Sequence, residues 1–552
     1  MKSFDVLDKP WIPVVYIDGR VTEVGIRECL FDADKIKTLS NRYPYEKIAM
    51  LRFLTAFVTD AYQLKNRIAR EQLYNVGHFD SVVIERYISD CISGHGASFD
   101  LFDEKRPFMS FAYNPENDTD ETKRSAAYLH LNLPHGKNDT HIVAQREEDF
   151  KGDQPAELLR ALLSFYLYPT GNLIKGANSN TGANCYIVRR DETGKPVYSA
   201  AYGSMGVNAG PSMAGFVPVF YWPENDTLFH TLVMCMRSER ELGNLPLNDP
   251  PAPWNTDKVP NPKRGKRGEV VPKVSYVSGL TFQPRRVVFE VIGDVIRECW
   301  ITNGYVNPDD KLWHDPFAVR LKNHKTNELF YSKPNMDRSM WRDVGNLTAG
   351  KKESWHIMPD VLQPVSPVLD EHLYENISSL LMDPMTQNAG YDGMIYDDTV
   401  RLPVGFMENE VLGSYLTGCL ELIESASGCW DEIKLNKLLD TRGMDNGMYY
   451  TDALNEYWER MHRFLFDGKD SFLNQITEEY EKDQENFAVT LDERLIDFMI
   501  KTIRNICAKE EASAGSWDRM VAIISHTRGK GGVINKFKTK IKKIRNGEEV
   551  AK

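Results

Sequence analysis

A change in hydrophobic pattern at Pro403 constrains the fold of this chain more than any other feature. Before Pro403, strand-like and helical segments alternate with long stretches rich in Gly, Pro and polar residues. After it, apolar residues recur at helical spacing with no strand-like segment between them. We therefore predict an α+β chain: a large mixed α/β N-terminal domain with long loops over residues 1–403, and a C-terminal four-helix bundle with a basic tail over residues 404–552. A length of 552 residues agrees with two domains, because one core rarely serves so long a chain.

The N-terminal part contains several segments whose structure the pattern predicts. Residues 1–60 indicate two strands joined by a turn at Asp18-Gly19, and a helix from Pro44 to about Leu64 follows. A second helix is predicted at Ala156–Tyr168. The segment Leu245–Lys273 is dense in Pro and basic residues, which is typical of an exposed loop.

The C-terminal part predicts four helices. Each has an apolar stripe, and Thr490 with Glu493 suggests a capping box at the start of the third. The predicted helices are Glu408–Glu424, Thr451–Phe466, a third helix after Thr490 with an inner face of Leu495, Phe498, Ile503 and Ile506, and a fourth that begins near Trp517. The basic tail at Lys530–Arg545 has apolar residues at helical spacing among its lysines.

Charge and cysteine content narrow the function classes. A formal net charge of −12 argues against a protein that coats nucleic acid alone, although local basic loops suffice for a DNA reader whose partners supply most phosphate contacts. None of the 8 cysteines forms a CxxC pair, so we expect no structural zinc and no cofactor. No apolar run could span a membrane and no signal peptide is visible, so we expect a cytoplasmic protein.

A Gly-rich segment at Gly203–Gly215, GSMGVNAGPSMAG, is a candidate ligand-binding loop. Glycines let backbone amides approach a ligand closely, although they also mark ordinary turns. The segment lacks the GxxxxGK[ST] pattern of a phosphate-binding loop, and Ser212 lacks the GxSxG frame of a nucleophile elbow. It therefore indicates a backbone-lined binding loop or an unusual turn.

Four segments in a fixed order resemble the CasA family, the large subunit of the type I-E CRISPR surveillance complex. They are FDVLDKPWIPV at Phe4–Val14, the Gly-rich segment, VSGLTFQP at Val277–Pro284 and LWHDPF at Leu312–Phe317. The resemblance implies a non-catalytic DNA reader with no membrane contact. It implies that the partners are other Cascade subunits, guide RNA, target double-stranded DNA and a recruited helicase-nuclease.

The resemblance also implies four DNA-binding elements. The Gly-rich segment would read the protospacer-adjacent motif from the minor groove, a polar loop at His135–His141 would contact phosphate or base edges, a cation would enter the minor groove, and a wedge would help to open the duplex. The residues are, in that order, Gly206, Asn208 and Gly210; Asn138, Asp139, Thr140 and His141; one of Lys263, Arg264 and Lys266; and Met394, Ile395 and Tyr396 at the wedge tip.

Simpler interpretations remain open for each element. The polar loop could be a solvated turn, the basic run a solvated charge cluster, and the wedge a β-hairpin in which Tyr396 is buried. A structural scaffold without DNA contacts is a further alternative.

The alternative from another class is a metal-dependent nuclease or hydrolase. Such an enzyme needs clustered carboxylates or histidines, and the candidate pairs are Asp397-Asp398 and His314-Asp315. Adjacent residues in a strand point to opposite faces, so neither pair makes a good chelate. We therefore assign no catalytic residue and no metal ligand.

Overall fold

The computed structural model describes most of the chain. The described residues are 3–133, 150–168, 187–190, 196–198, 212, 217–257, 269–271, 273–306, 313–323, 329–332, 334–335, 338–349, 356–365, 374–382, 395–432, 446–512, 535 and 539.

Helices occur along the whole described chain. They are α1 Ile26–Phe31, α2 Pro44–Tyr62, α3 Arg67–Val76, α4 Ser81–His95, α5 Pro155–Leu167, α6 Leu228–Cys235, α7 Tyr276–Leu280, α8 Gly405–Glu408, α9 Glu410–Glu432, α10 Asn446–Phe466, α11 Phe472–Lys482 and α12 Phe487–Ala512. Short 3-10 helices lie at Ala126–Leu129, Met340–Leu347 and Asp360–Leu362.

All strands among the described residues lie before Val404, and they form small sheets. They are β1 Ile12–Tyr16, β2 Val21–Val24, β3 Ile36–Leu39, β4 Lys123–Ser125, β5 Ile187–Arg190, β6 Pro196–Tyr198, β7 Phe220–Pro223, β8 Glu269–Val270, β9 Arg285–Phe289, β10 Glu298–Asn303, β11 Tyr305–Val306, β12 Arg320–Lys322, β13 Leu329–Tyr331, β14 His356–Ile357, β15 Tyr374–Met382 and β16 Ile395–Pro403. The sheets have the orders β2-β1-β3, β4-β10-β9, β11-β8, β13-β12-β14, β16-β15-β7 and β5-β6. The predicted α+β class is confirmed.

The chain divides into two compact units. The first comprises Met1–Arg338, Trp355–Val368 and Glu375–Val400, and the second comprises Ser339–Ser354, Leu369–Tyr374 and Arg401–Lys552. The second unit thus begins near the predicted boundary at residue 403 but also takes two segments that precede it in sequence. No local sequence pattern predicts that Ser339–Ser354 belongs to the second unit, because this assignment depends on packing of the segment against α9.

The first unit has an aromatic core around α2. Pro44 begins this helix as predicted, and Gln63 ends it in the left-handed region with φ of 42°. The rings of Phe53 and Phe57 pack against Trp254 with centroid distances of 5.3 and 5.8 Å. The described first part of Leu245–Lys273 is a loop as predicted, but Trp254 in it is only 4% exposed, so the prediction of an exposed loop is wrong for this part.

The second unit contains the predicted C-terminal helices in a modified arrangement. Among the described residues, α9, α10, α11 and α12 contact one another in every pairing, which makes a bundle. The helix α11 is not among the predicted helices. Thr490 lies inside α12 rather than at its start, so the predicted capping box is wrong. The helix predicted near Trp517 lies outside the described residues.

The described helices include none that is both long enough and apolar enough to cross a membrane.

Candidate nucleic-acid interface

A buried arginine at the centre of α2 connects two of the four sequence segments singled out above. Arg52 places one guanidinium nitrogen 2.9 and 2.7 Å from the two carboxylate oxygens of Asp315, in the LWHDPF segment. Its other terminal nitrogen donates to the Ser212 hydroxyl at 2.8 Å, in the Gly-rich segment. The side chains of Arg52 and Asp315 are 2% and 0% exposed, and Ser212 is 3% exposed. We refer to Arg52, Asp315 and Ser212 as the Arg52 cluster.

Asp315 is held in place independently of the Gly-rich segment. Its carboxylate accepts a hydrogen bond from the backbone N–H of Phe317 at 2.8 Å. Its own backbone N–H donates to the Tyr331 hydroxyl at 2.7 Å. The fixed carboxylate restricts the guanidinium, because one guanidinium nitrogen is held by charge-assisted hydrogen bonds to both carboxylate oxygens.

Two aromatic rings add to the environment of Arg52. The guanidinium carbon lies 5.6 Å from the Phe220 ring centroid and 5.3 Å from that of Phe317. A cation near a ring face gains electrostatic attraction, which is larger when water is excluded. Phe220 belongs to β7, which follows the Gly-rich segment, so both Ser212 and β7 contact the same buried cation.

The VSGLTFQP segment has a structural role beside the Arg52 cluster. Ser275 caps α7 by accepting from the Ser278 backbone N–H at 3.0 Å. Gly279 lies against Trp313, since a Cβ added there would be 2.3 Å from a ring atom. Gln283 donates to the backbone carbonyl of Met109 at 3.0 Å. Together with Ser212, residues of α2, α5 and this segment line one small cavity.

His314 and Asp315, which the enzyme alternative requires to act together, have separate partners. His314 Nε2 lies 2.8 Å from an oxygen of Asp360, and Arg320 donates to the other Asp360 oxygen at 3.1 Å. Burial alone would raise the pKa of Asp360, but the His314 hydrogen bond and the Arg320 charge hold it below its ordinary value. Asp315 is committed to Arg52.

The described residues show no metal-binding group that would support the enzyme alternative. Among them, no group of three or more His, Cys, Asp or Glu side chains could hold a metal ion. Asp397 is exposed and Asp398 is half-buried, as expected for neighbours on opposite faces of β16.

The base of the predicted polar loop is described, although the loop itself is not. His130 Nε2 lies 2.7 Å from Asp153 Oδ2, which joins the two chain ends that flank residues 134–149. Beside this pair is a polar cavity of about 440 Å³ whose wall includes Glu46. Burial raises the pKa of the Glu46 carboxyl, and attraction to Arg160 and His130 offsets only part of that rise.

The structure places two of the predicted wedge residues in a strand. Ile395 and Tyr396 are the first residues of β16, an edge strand paired with β15, so the prediction that they form a loop tip is wrong for these two residues. Tyr396 is 42% exposed, whereas the hairpin alternative expected it to be buried. Met394 lies outside the described residues.

The remaining predicted DNA-binding residues also lie outside the described part of the chain. They are Asn138, Asp139, Thr140, His141, Gly206, Asn208, Gly210, Lys263, Arg264 and Lys266.

Sequence reasoning missed Arg52 as a site residue. The available signal was a lone charge inside a strongly apolar helical run, AMLRFLTAFV at Ala49–Val58. A charge at such a position must be paired, because an isolated buried charge is very costly. Its partner Asp315 is 263 residues away in sequence, which no local pattern could identify.

The fold is shared with CRISPR-associated proteins of known structure. Cse1 from Thermobifida fusca has a TM-score of 0.70 at 18% identity over 99% of each chain. Cse1 from Acidimicrobium ferrooxidans has a TM-score of 0.69 at 18% identity over 100% of each chain. A chain of a CRISPR RNA-guided surveillance complex has a TM-score of 0.63 at 16% identity over 96% of this chain and 100% of that chain.

Sequence comparison then identifies the family. The family model described as CRISPR-associated protein Cse1 matches residues 5–482. The chain therefore belongs to the Cse1 family of CRISPR-associated proteins. The CasA/Cse1 protein of Thermus thermophilus is 24% identical over 345 residues, which cover 62% of this chain and 60% of that relative. The resemblance to the CasA family is confirmed.

Proposed function

We propose that this protein is the non-catalytic large subunit of a type I-E CRISPR Cascade complex. In this role it recognises the protospacer-adjacent motif in target double-stranded DNA, helps to start strand separation and recruits the helicase-nuclease. Its partners are the other Cascade subunits and the guide RNA. The observation that carries the proposal is the family match over residues 5–482, and the likeness to a chain of a CRISPR RNA-guided surveillance complex supports it.

The charge of the chain supports a reader that depends on partners. Neutralising DNA phosphates requires clustered cations, and a net charge of −12 disfavours tight binding by the isolated chain. In RNA-guided systems, base pairing with the guide supplies most of the sequence specificity, and the protein reads only a short flanking motif. A few projecting segments suffice for that task.

The contacts to DNA are assigned as follows within this proposal. The Gly-rich segment reads the motif in the minor groove, whose pattern of donors and acceptors is degenerate, so tolerance of several motifs is expected. The polar loop, one cation of the basic run and the wedge act as the resemblance implies. The proposed residues are Gly206, Asn208, Gly210, Asn138, Asp139, Thr140, His141, Lys263, Arg264, Lys266, Met394, Ile395 and Tyr396.

Reconstitution tests the proposal directly. The guide-RNA complex is assembled with and without this subunit and titrated with duplexes that differ only in the flanking motif. We expect the complete complex to prefer one set of motifs and the complex that lacks the subunit to lose that preference. Equal discrimination by both complexes would contradict the proposal.

A matched charge experiment tests the basic run. Replacing Lys263, Arg264 and Lys266 together with Ala should weaken binding to duplex targets and reduce its salt dependence, because fewer counterions are released. The control replaces Lys37, Arg86 and Lys105, three exposed cations of the same types. If both triple variants lose the same affinity, the effect reflects net charge and the assignment of the basic run fails.

A further inference from the structure

We infer that Arg52 is a positioning residue for motif reading: through its hydrogen bond it fixes the position of Ser212 in the Gly-rich segment. The inference rests on the proposed function and adds to it a residue that touches no DNA. It is carried by the geometry of the Arg52 cluster, in which a loop hydroxyl accepts from a buried guanidinium at 2.8 Å.

The two sides of the Arg52 cluster differ in how they are held. Asp315 is fixed by the Phe317 backbone N–H and by the Tyr331 hydroxyl, and it binds Arg52 through both carboxylate oxygens. The guanidinium therefore has a defined position whether or not Ser212 is present. The guanidinium thus helps to hold the Ser212 hydroxyl in place, whereas the guanidinium is itself held by Asp315.

The connection from Ser212 to the proposed reading residues is short. Gly210 is separated from it by Pro211 alone, so the two Cα atoms can be no more than about 7 Å apart. Proline fixes φ and restricts the residue before it. A change in the position of Ser212 therefore acts at a point only two residues from Gly210.

The expected effect is on discrimination and not on general DNA affinity. If the hydrogen bond restricts the Gly-rich segment to arrangements that fit the correct motif, its loss lowers the populated fraction of those arrangements. Apparent affinity for the correct motif then falls in proportion to that fraction. Affinity for a wrong motif should stay unchanged, because it does not depend on those arrangements. A hydrogen bond to a charged group is strong enough to reduce the ratio of the two affinities about tenfold.

The test uses Ser212→Ala in the reconstituted complex with guide RNA. This change removes the loop acceptor and leaves the Arg52–Asp315 pair intact. Ser212→Thr keeps the hydroxyl and should restore discrimination. Ser110→Ala is the matched control, because Ser110 is equally buried at 4% exposure and its hydroxyl donates to the Val287 carbonyl at 2.9 Å in the same unit.

Three targets separate positioning from loss of structure: a duplex with the correct motif, a duplex with a wrong motif, and a target whose strands are already open. We expect Ser212→Ala to lower the affinity ratio between correct and wrong motifs about tenfold. Binding to the opened target and incorporation into the complex should stay unchanged. Ser110→Ala should leave the ratio unchanged.

The variant Arg52→Lys provides a second test in case Ser212→Ala fails to fold. Arg52→Lys keeps a positive charge beside Asp315 but cannot bond both partners as the planar fork does, so it should lower the ratio in the same way. Unchanged discrimination by Ser212→Ala, or equal loss in Ser110→Ala, overturns the inference. These results are distinct from failure of the proposed function, in which the unsubstituted complex itself shows no dependence on this subunit.

Discussion

Gly279 in α7 packs so closely against the indole of Trp313 that a Cβ at this position would lie 2.3, 2.4 and 2.5 Å from three ring atoms. Trp313 is 7% exposed, so the ring has little room to move. The glycine of the VSGLTFQP segment is thus explained by packing and not by a ligand. This contact joins two of the segments by which the family was recognised.

Gly279→Ala should destabilise the first unit. A gain in helix propensity favours Ala by roughly 0.5–1 kcal/mol. Overpacking costs about 1–3 kcal/mol and should prevail, because the clash is with a buried ring. The melting temperature, followed by tryptophan fluorescence, measures the outcome.

Gly94→Ala provides the control for this prediction. Gly94 lies in α4, and a Cβ there meets no atom within 4 Å. The same substitution should therefore be neutral or slightly stabilising at this position. A Gly279→Ala protein as stable as the Gly94→Ala protein would show that Trp313 moves freely.

Local patterns predicted those elements whose fold depends on near neighbours. The start of α2 at Pro44, the helix α5 and the inward face of α9 at Leu412, Leu416 and Ile423 all follow from apolar spacing, and the structure confirms them. Helical periodicity suffices there because each helix buries one face.

Features that depend on distant partners were not predictable. Trp254 lies in a segment without periodicity and becomes core because Phe53, Phe57 and Phe108 surround it. The Arg52 cluster brings together residues 52, 212 and 315, so the lone charge in α2 indicates that a partner exists but no local pattern identifies Asp315 or Ser212. The order of short segments identified the family, yet it could not show that Ile395 and Tyr396 form a strand.

The buried pair of Arg286 and Asp118 should show strong coupling in the free energy of unfolding. Their side chains are 1% and 0% exposed, and one guanidinium nitrogen lies 3.0 Å from Asp118 Oδ2. Asp118→Asn leaves the guanidinium buried without a counter-charge, which costs roughly 3–5 kcal/mol. Urea denaturation measures this loss.

The double variant Asp118→Asn/Arg286→Met should lose less than the sum of the two single variants, because it buries no lone charge. Additive losses would mean that the two charges do not stabilise each other in the folded protein.

The buried Glu46 and the half-buried Glu224 should affect stability with opposite pH dependence. Burial raises the pKa of Glu46, so the folded protein holds this proton more tightly than the unfolded chain, in which Glu titrates near pH 4.3. The stability linked to Glu46 is present at low pH and is lost as the pH rises through the folded pKa. Glu46→Gln should therefore raise the melting temperature at pH 7.5 and have little effect at pH 4.

Glu224 supplies the comparison. Burial favours a higher pKa, but the Lys47 charge and hydrogen bonds from Trp222 and Thr38 lower it below the ordinary value. Its contribution is present above about pH 4.3 and is lost as the pH falls through the folded pKa. Glu224→Gln should lower the melting temperature at pH 7.5 and have a smaller effect in acid. The same pH trend in both variants would contradict the assigned charge states.

Replacing Tyr396 with Ala should slow strand opening more than initial DNA binding, if the wedge assignment holds. Tyr396 is 42% exposed at the start of the edge strand β16, so its ring is available to stack on a base. Base–aromatic stacking is worth about 1–3 kcal/mol, which corresponds to a slowing of roughly tenfold or more. A fluorescent base analogue beside the flanking motif reports opening in the reconstituted complex, and the association rate reports initial binding.

Two further variants make the wedge experiment specific. Tyr396→Phe keeps the ring and should open DNA at the normal rate, because stacking needs no hydroxyl. Tyr113→Ala removes another tyrosine of the same unit, 55% exposed, and should leave opening unchanged. If Tyr396→Ala opens DNA as fast as the unsubstituted complex, Tyr396 has no part in strand separation, and the wedge must be sought elsewhere in the chain.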